Sequence, residues 1–191
     1  MSIACVKKIA AALADDCANP AVGGAENVIT LINLEDWQNA TITRSTTNQM
    51  VIEGIVLGTG KHGYSFEFAS DTINALATRA GIRTYDHSVT GKINVSSNAT
   101  KKTLDDMDGG RYVAIVKMRN PVPELKYQIF GEEAGLVISE WKKEANADNG
   151  IISFSLASSD VSKETRESKS LFQTDLTTTA AIITALITSI P

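Results

Sequence analysis

The chain has 191 residues, of which 43% are hydrophobic and 21% charged, with a formal net charge of −4. That is an ordinary globular balance, with length for one well-buried domain and little room for two. The acidic pI of about 5.2 argues against a protein that grips nucleic acid, which needs a concentrated basic surface, but not against a wall that lets nucleic acid slide past.

Residues 2–16 place Ile3, Val6, Ile9, Ala10 and Leu13 at spacings of three and four, which predicts an amphipathic helix. Asn19-Pro20 and Gly23-Gly24 end it and form a linker, so the division expected is 1–24 as helix and linker and 25–191 as one β-rich domain. Cys5 and Cys17 are the only cysteines. On a helix they stand about 120° apart, and no CxxC accompanies them, so two reduced thiols are expected. "SIAC" is like a lipoprotein cleavage box, yet no apolar segment precedes it and Lys7-Lys8 interrupt the run. No signal peptide or membrane span is expected, since no stretch nears the roughly 18 apolar residues a span requires.

Segments 27–37 and 41–45 are rich in β-branched residues and predict strands. Residues 49–68 read as a long hairpin, with arms Met50–Leu57 and Tyr64–Phe68 and a glycine-rich, mobile tip, GTGKHG (58–63). Residues 70–81 carry a Ser/Asp cap, apolar Ile73, Leu76 and Ala77, and a closing Gly81, which predicts a short helix. A strand is expected over 88–97, a helix over 100–110 and a strand over 111–119, closed by Asn120-Pro121-Val122-Pro123. LKYQIFG, AGLVISEWKKE and GIISFSLASSD then read as three consecutive antiparallel strands. In the last, Ile152, Phe154 and Leu156 face one way and Ser153, Ser155 and Ala157 the other. Residues 161–172 are charged and mixed, and 175–188 predict a final helix capped by Asp175. The order lacks βαβ alternation. The fold class expected is mainly β (α+β), an antiparallel sandwich or partly open barrel with a packed short helix and terminal helices.

No stretch identifies a chemistry. GTGKHG lacks the first glycine of a phosphate-binding P-loop, where Ile55 stands, and has His62 in place of the Ser or Thr after the lysine. His62 and His87 are 25 positions apart without further donors, so solvent-facing histidines are expected rather than a zinc site. LDDMDGG (104–110) has no distant glutamate to complete a calcium loop and reads as a solvated helix end. No catalytic, cofactor or metal residues are therefore assigned. Residues 127–160 hold Glu132, Glu133, Glu140, Glu144, Asp148 and Asp160 against Lys142 and Lys143, a net −4 that equals the charge of the whole chain. Two readings stand: a solvated hairpin, or a surface that must stay free of DNA.

From strand 111–119 through the three strands to the last helix, and best over 110–190, the layout resembles tailed-bacteriophage structural proteins, in particular tail-tube-like ones. The resemblance implies a barrel or sandwich flanked by a helix. It also implies a non-enzymatic subunit that closes with copies of itself into rings, commonly of six, which stack into a tube in the virion tail after assembly in the host cytoplasm. Other phage structural proteins would be partners. Genomic DNA would pass without specific binding, and neither membrane nor cofactor is implied. Hairpin 49–68 would be the arm that reaches the next ring. The N-terminal helix is foreign to the pattern. A head-to-tail connector, a tail terminator or an injection-system tube subunit stays open as an alternative, as does a small-molecule-binding barrel or an unrecognised enzyme.

Overall fold

The computed structural model describes residues 23–93, 97–143 and 151–188. The helix expected over 2–16, both cysteines, Glu144 and Asp148 lie outside them. The described chain is mainly β. Its strands are β1 (Ala25–Asn33), β2 (Thr41–Arg44), β3 (Val51–Val56), β4 (Tyr64–Glu67), β5 (Asn74–Gly81), β6 (Thr84–Ile93), β7 (Tyr112–Met118), β8 (Tyr127–Phe130), β9 (Leu136–Lys143), β10 (Ile152–Ser158) and β11 (Lys169–Leu171). Three helices accompany them: α1 (Leu34–Gln38), α2 (Asn98–Asp106) and α3 (Leu176–Thr188). The main sheet path runs β2-β3-β11-β8-β7-β9-β10-β6-β5, and β1 joins β7 to β4.

β7 is the axis of this arrangement. Tyr112, Ala114 and Val116 enter one hydrophobic core, with Ile29, Leu31, Phe154 and Leu156. Val113 and Ile115 enter a second, with Trp37, Ile52, Leu171 and Leu186. A strand buried on both faces loses polar alternation, and so YVAIV reads as a continuous apolar run. One edge of β7 pairs with β1 from Asn33↔Tyr112 to Ala25↔Met118. The other edge takes β8 from Ala114↔Phe130 to Lys117↔Tyr127, then β9 at Tyr112↔Leu136 alone. β8 and β9 therefore lie end to end along one strand line, and residues 131–135 are an insert between them. At this insert the line leaves the β8–β11–β3–β2 wing and enters the β10–β6–β5 wing.

Several expectations change here. The three strands after the proline turn do not form a meander: β9 and β10 pair antiparallel, while β8 pairs with β7 and β11. Residues 49–68 are not a hairpin. β3 pairs with β2 and β11, and β4 pairs with β1, so the glycine segment between them crosses from the β8–β11–β3–β2 wing to the β1 ladder on the other edge of β7. Residues 70–81 are not a helix. Asn74–Gly81 is a strand in register with β6, from Asn74↔Thr90 to Gly81↔Thr84. Its weak local helix signal loses to a ladder that also packs Ala75 and Ala77 against the first core. Residues 34–37, read as the end of a strand, form α1, and the mixed segment 161–172 contains β11, which runs parallel to β3.

Other elements form as the sequence indicates. α2 is capped by Ser97, whose Oγ accepts from the Thr100 N–H at 3.2 Å. It stops ahead of Gly109, which sits at φ +76. Asp175 caps α3, accepting from the Thr178 N–H at 2.8 Å. This bond is the largest influence holding its carboxyl below the ordinary range.

Candidate functional site

The segment 58–63 is anchored at its far end, over Lys61–Gly63. The Gly63 N–H donates to the Leu186 carbonyl of α3 at 2.8 Å, and a Cβ on Gly63 would meet Thr30 Cγ2 at 3.0 Å. Lys61 Nζ lies 2.9 Å from Asp36 Oδ1. Burial pushes the Asp36 carboxyl upward, but the hydrogen bonds from Lys61 and Asn33 outweigh it and hold the pKa below its usual value. His62 stacks on Tyr64 with ring centroids 4.6 Å apart. No helix follows to receive a phosphate, because β4 begins at Tyr64.

At the other place singled out, Asp105, Asp106 and Asp108 are exposed, and Asp106 pairs with Lys102 at 2.5 Å. Among the described residues, no group of three or more His, Cys, Asp or Glu could hold a metal ion.

His87 departs from expectation. It is 2% exposed, stands edge-on to Phe130, and accepts at Nδ1 from the Gly131 N–H at 3.1 Å. That bond requires a neutral ring with its proton on Nε2, which has no hydrogen-bond partner among the described residues. Burial, the largest influence, lowers its pKa to about 4, against weaker pulls from the Arg166 backbone, Glu133 and Asp86.

His87 belongs to a polar hub around the insert 131–135. Glu132, 7% exposed, pairs with Arg44 of β2 at 2.5 Å and with Lys169 of β11. Glu164 is also buried, and its carboxylate accepts from the N–H groups of Glu133 and Ala134, each at 2.9 Å. Burial nevertheless raises its pKa, helped by the nearby carboxylates of Glu133 and Glu132. Glu133 accepts from the Thr165 N–H at 2.8 Å and hydroxyl at 2.6 Å. These bonds overcome its partial burial and hold its pKa below the ordinary value. The backbones of Tyr85 and Glu164 exchange two hydrogen bonds, at 2.8 and 3.1 Å, and Lys163 pairs with Asp86 at 2.5 Å. The segment 162–169 thus straps the place where the strand line changes wings. The acidic run around Glu132 is consequently no solvated hairpin, and Glu132 offers no charge to passing DNA. Sequence reasoning missed this hub because its partners are 88 and 37 positions from Glu132. The local sign is Gly131 and Gly135, both at φ +76, bracketing the two glutamates.

The remaining feature is a set of unfinished strand edges. Among the described residues β2, β4 and β5 each pair on one side only, and β9 beyond Leu136 does too. Glu140, Lys142 and Lys143 put charges along β9, a common guard against pairing. β2 and β4 are four residues each with little charge: Arg44 is engaged by Glu132, and Glu67 accepts from Asn27 at 3.4 Å. An open groove of about 690 Å³ runs between β4 and α2, lined by Phe66, Phe68, Ile93, Ala99 and Leu104. The β5–β6 hairpin ends in Ile82, which is 88% exposed, and in Arg83 at φ +58. No family model, curated protein or solved structure matches this chain. The site therefore has only its geometry to speak for it, that of one-sided strand edges and an open groove.

Proposed function

We propose that this protein is a non-enzymatic structural subunit that joins copies of itself into closed rings, of the kind that stack into the tail tube of a phage. The observation that carries the reading is the pair of one-sided edges at β2 and β4, whose single charged residues, Arg44 and Glu67, both have partners within the subunit. An unpaired strand edge presents backbone N–H and C=O groups on which another chain can pair. Two different edges on one subunit make a heterologous contact, and a heterologous contact with the right rotation closes a ring. In this reading β2 of one subunit extends the β4 ladder of the next, within the groove that α2 borders.

The reading no longer uses residues 49–68 as a reaching arm, because that segment is a bolted crossover. The exposed tip of the β5–β6 hairpin takes that part, offering Ile82 to a stacked ring. Among the described residues the acidic-lumen idea narrows to two exposed carboxylates, Glu140, beside Trp141, Lys142 and Lys143, and Asp160. The experiment is an edge block. Thr43→Lys and Ser65→Lys together should leave the subunit folded and stop ring formation by the purified chain in sedimentation velocity. Rings that form as well as the parent's would overturn the reading.

The groove beside β4 also supports a second reading, a binding module for a small apolar ligand, since its volume falls within the roughly 300–1,000 Å³ of ligand sites. Its openness along a strand edge favours a chain segment over a small molecule.

A further inference from the structure

The β5–β6 hairpin outruns the sheet that carries it. β10 pairs with β6 only as far as Ala157↔Ser88, whereas the hairpin's own ladder continues to Gly81↔Thr84. Beyond Ser88 the strap supports it at the Tyr85–Glu164 bridge. Ile82 and Arg83 form its two-residue loop. Loops of this length favour Gly, Asn or Asp, because they place residues at positive φ. Here Arg83 stands at φ +58, and Ile82 is 88% exposed. Neither residue serves the fold: one strains the backbone and the other leaves a branched apolar side chain in water. Local rules broken at an exposed site point to a role outside folding. Arg79 and Arg83 stand before and after Ile82, both exposed. The Arg79 Nε donates to the Gly81 carbonyl of its own hairpin at 3.1 Å, and neither arginine has an acidic partner among the described residues.

A groove of opposite character lies at the other end of the sheet path. It holds about 550 Å³ between β2, β3 and the turn 172–174 ahead of α3. Val51 and Phe172, both half-buried, give it apolar walls. Its charged members among the described residues are Glu53 and Glu124, and neither has a cationic partner among those residues. An apolar side chain between two arginines thus matches apolar walls beside two glutamates. We propose that the hairpin tip of one copy enters this groove on a second copy, with Ile82 packed on Val51 and Phe172 and with Arg79 and Arg83 paired to Glu53 and Glu124. The charges select the partner, because complementary fields speed encounter and exclude like-charged surfaces. Tip and groove are different surfaces of one subunit, so each joined copy still offers a free tip or a free groove, and the contact repeats from copy to copy. The inference rests on the reading that this chain associates with copies of itself, and it gives the tip its receiving site.

The test is cross-linking between two full chains, both in a Cys5→Ser, Cys17→Ser background. One carries Ile82→Cys; the other, tagged to differ in mass, carries Gln173→Cys on the groove wall. A short bismaleimide should join them about tenfold faster than it joins Ile82→Cys to Lys101→Cys on the exposed face of α2, the scale set by a close charge pair. Arg79→Glu with Arg83→Glu in the first chain should lower the rate to that of the control, and Glu53→Lys with Glu124→Lys in the second should restore it. Glu124→Lys alone, at an exposed position, serves if the double reversal shifts the urea midpoint. A parent pair no faster than the control would overturn the proposal, as would a rate indifferent to charge reversal or a loss that matched reversal does not restore. Rings with slow cross-linking would overturn this contact and leave the ring reading standing; fast cross-linking without rings would do the reverse.

Discussion

Two places in this molecule interrupt its sheet, and they handle polar groups in opposite ways. At the insert 131–135 the strand line stops, and groups thereby freed are met from within: Glu164 takes two N–H groups, His87 a third, and Arg44 and Lys169 hold Glu132. At β2 and β4 the ladder also stops, but the backbone groups of the outer edge are left facing outward. A buried break must be satisfied internally, because unpaired buried groups cost too much, whereas an exposed edge can wait on water or on another chain. The hub therefore belongs to folding, and the edges are where association would occur.

That contrast can be broken from the hub side with the largest effect. Lys169→Ala leaves Glu132 buried with Arg44 alone, and removing one partner of a buried pair costs about 3–5 kcal/mol in urea unfolding. Glu132→Leu combined with Lys169→Leu should recover most of that loss, since a buried pair is weak evidence of stability in itself. A double variant no more stable than Lys169→Ala would mean that the charges are needed for the strap's geometry.

Acid is next in size. The folded pKa of His87, about 4, lies below its ordinary 6.5, so folding favours the neutral ring. Its contribution is complete above 6.5 and is lost as the pH falls from 6.5 through 4, about 3 kcal/mol in all. Glu133, whose pKa is lowered, adds to the loss as the pH drops through its ordinary value. Glu164, whose pKa is raised, offsets part of it, because protonation relieves a buried charge. Urea midpoints at pH 7.5 and 4.5 check this, and His87→Gln should flatten the dependence between them.

A smaller effect is expected at Gly131. Its φ is +76 and an added Cβ would lie 2.6 Å from Leu136 Cγ and 2.9 Å from the Tyr112 carbonyl oxygen. Gly131→Ala should cost about 1–3 kcal/mol, the usual range for such strain. The smallest effect on folding belongs to the edges: Thr43→Lys with Ser65→Lys should change unfolding stability by about 0.5 kcal/mol or less, as exposed sites do, while removing association.

How much of this could be read from the sequence differs from element to element. β7 was plain because burial on both faces leaves an unbroken apolar run. α2 was plain because Gly109-Gly110 mark its end, although its Ser97 cap was read as part of the preceding strand, and α3 because Asp175 marks its start. β5 was misread, since its alanines and leucine satisfy helical spacing as well as alternation, and only the β6 ladder decides between them. β11 was invisible: three residues, one of them a lysine buried against Glu132, give no period. The strands of 49–68 were recognised but not their partners, because alternation fixes which face a residue takes and says nothing about which strand lies beside it. The hub was hidden for the same reason, being made of contacts remote in sequence, and the one-sided edges emerge only from the full pairing list.

The measurement that bears most directly on the central claim is sedimentation velocity of the purified full chain over a wide concentration range, with negative-stain images of the same samples. Association through strand edges predicts closed rings, or tubes of stacked rings, that the edge block abolishes. A single species of 20.4 kDa at every concentration, with and without other virion proteins, would contradict it.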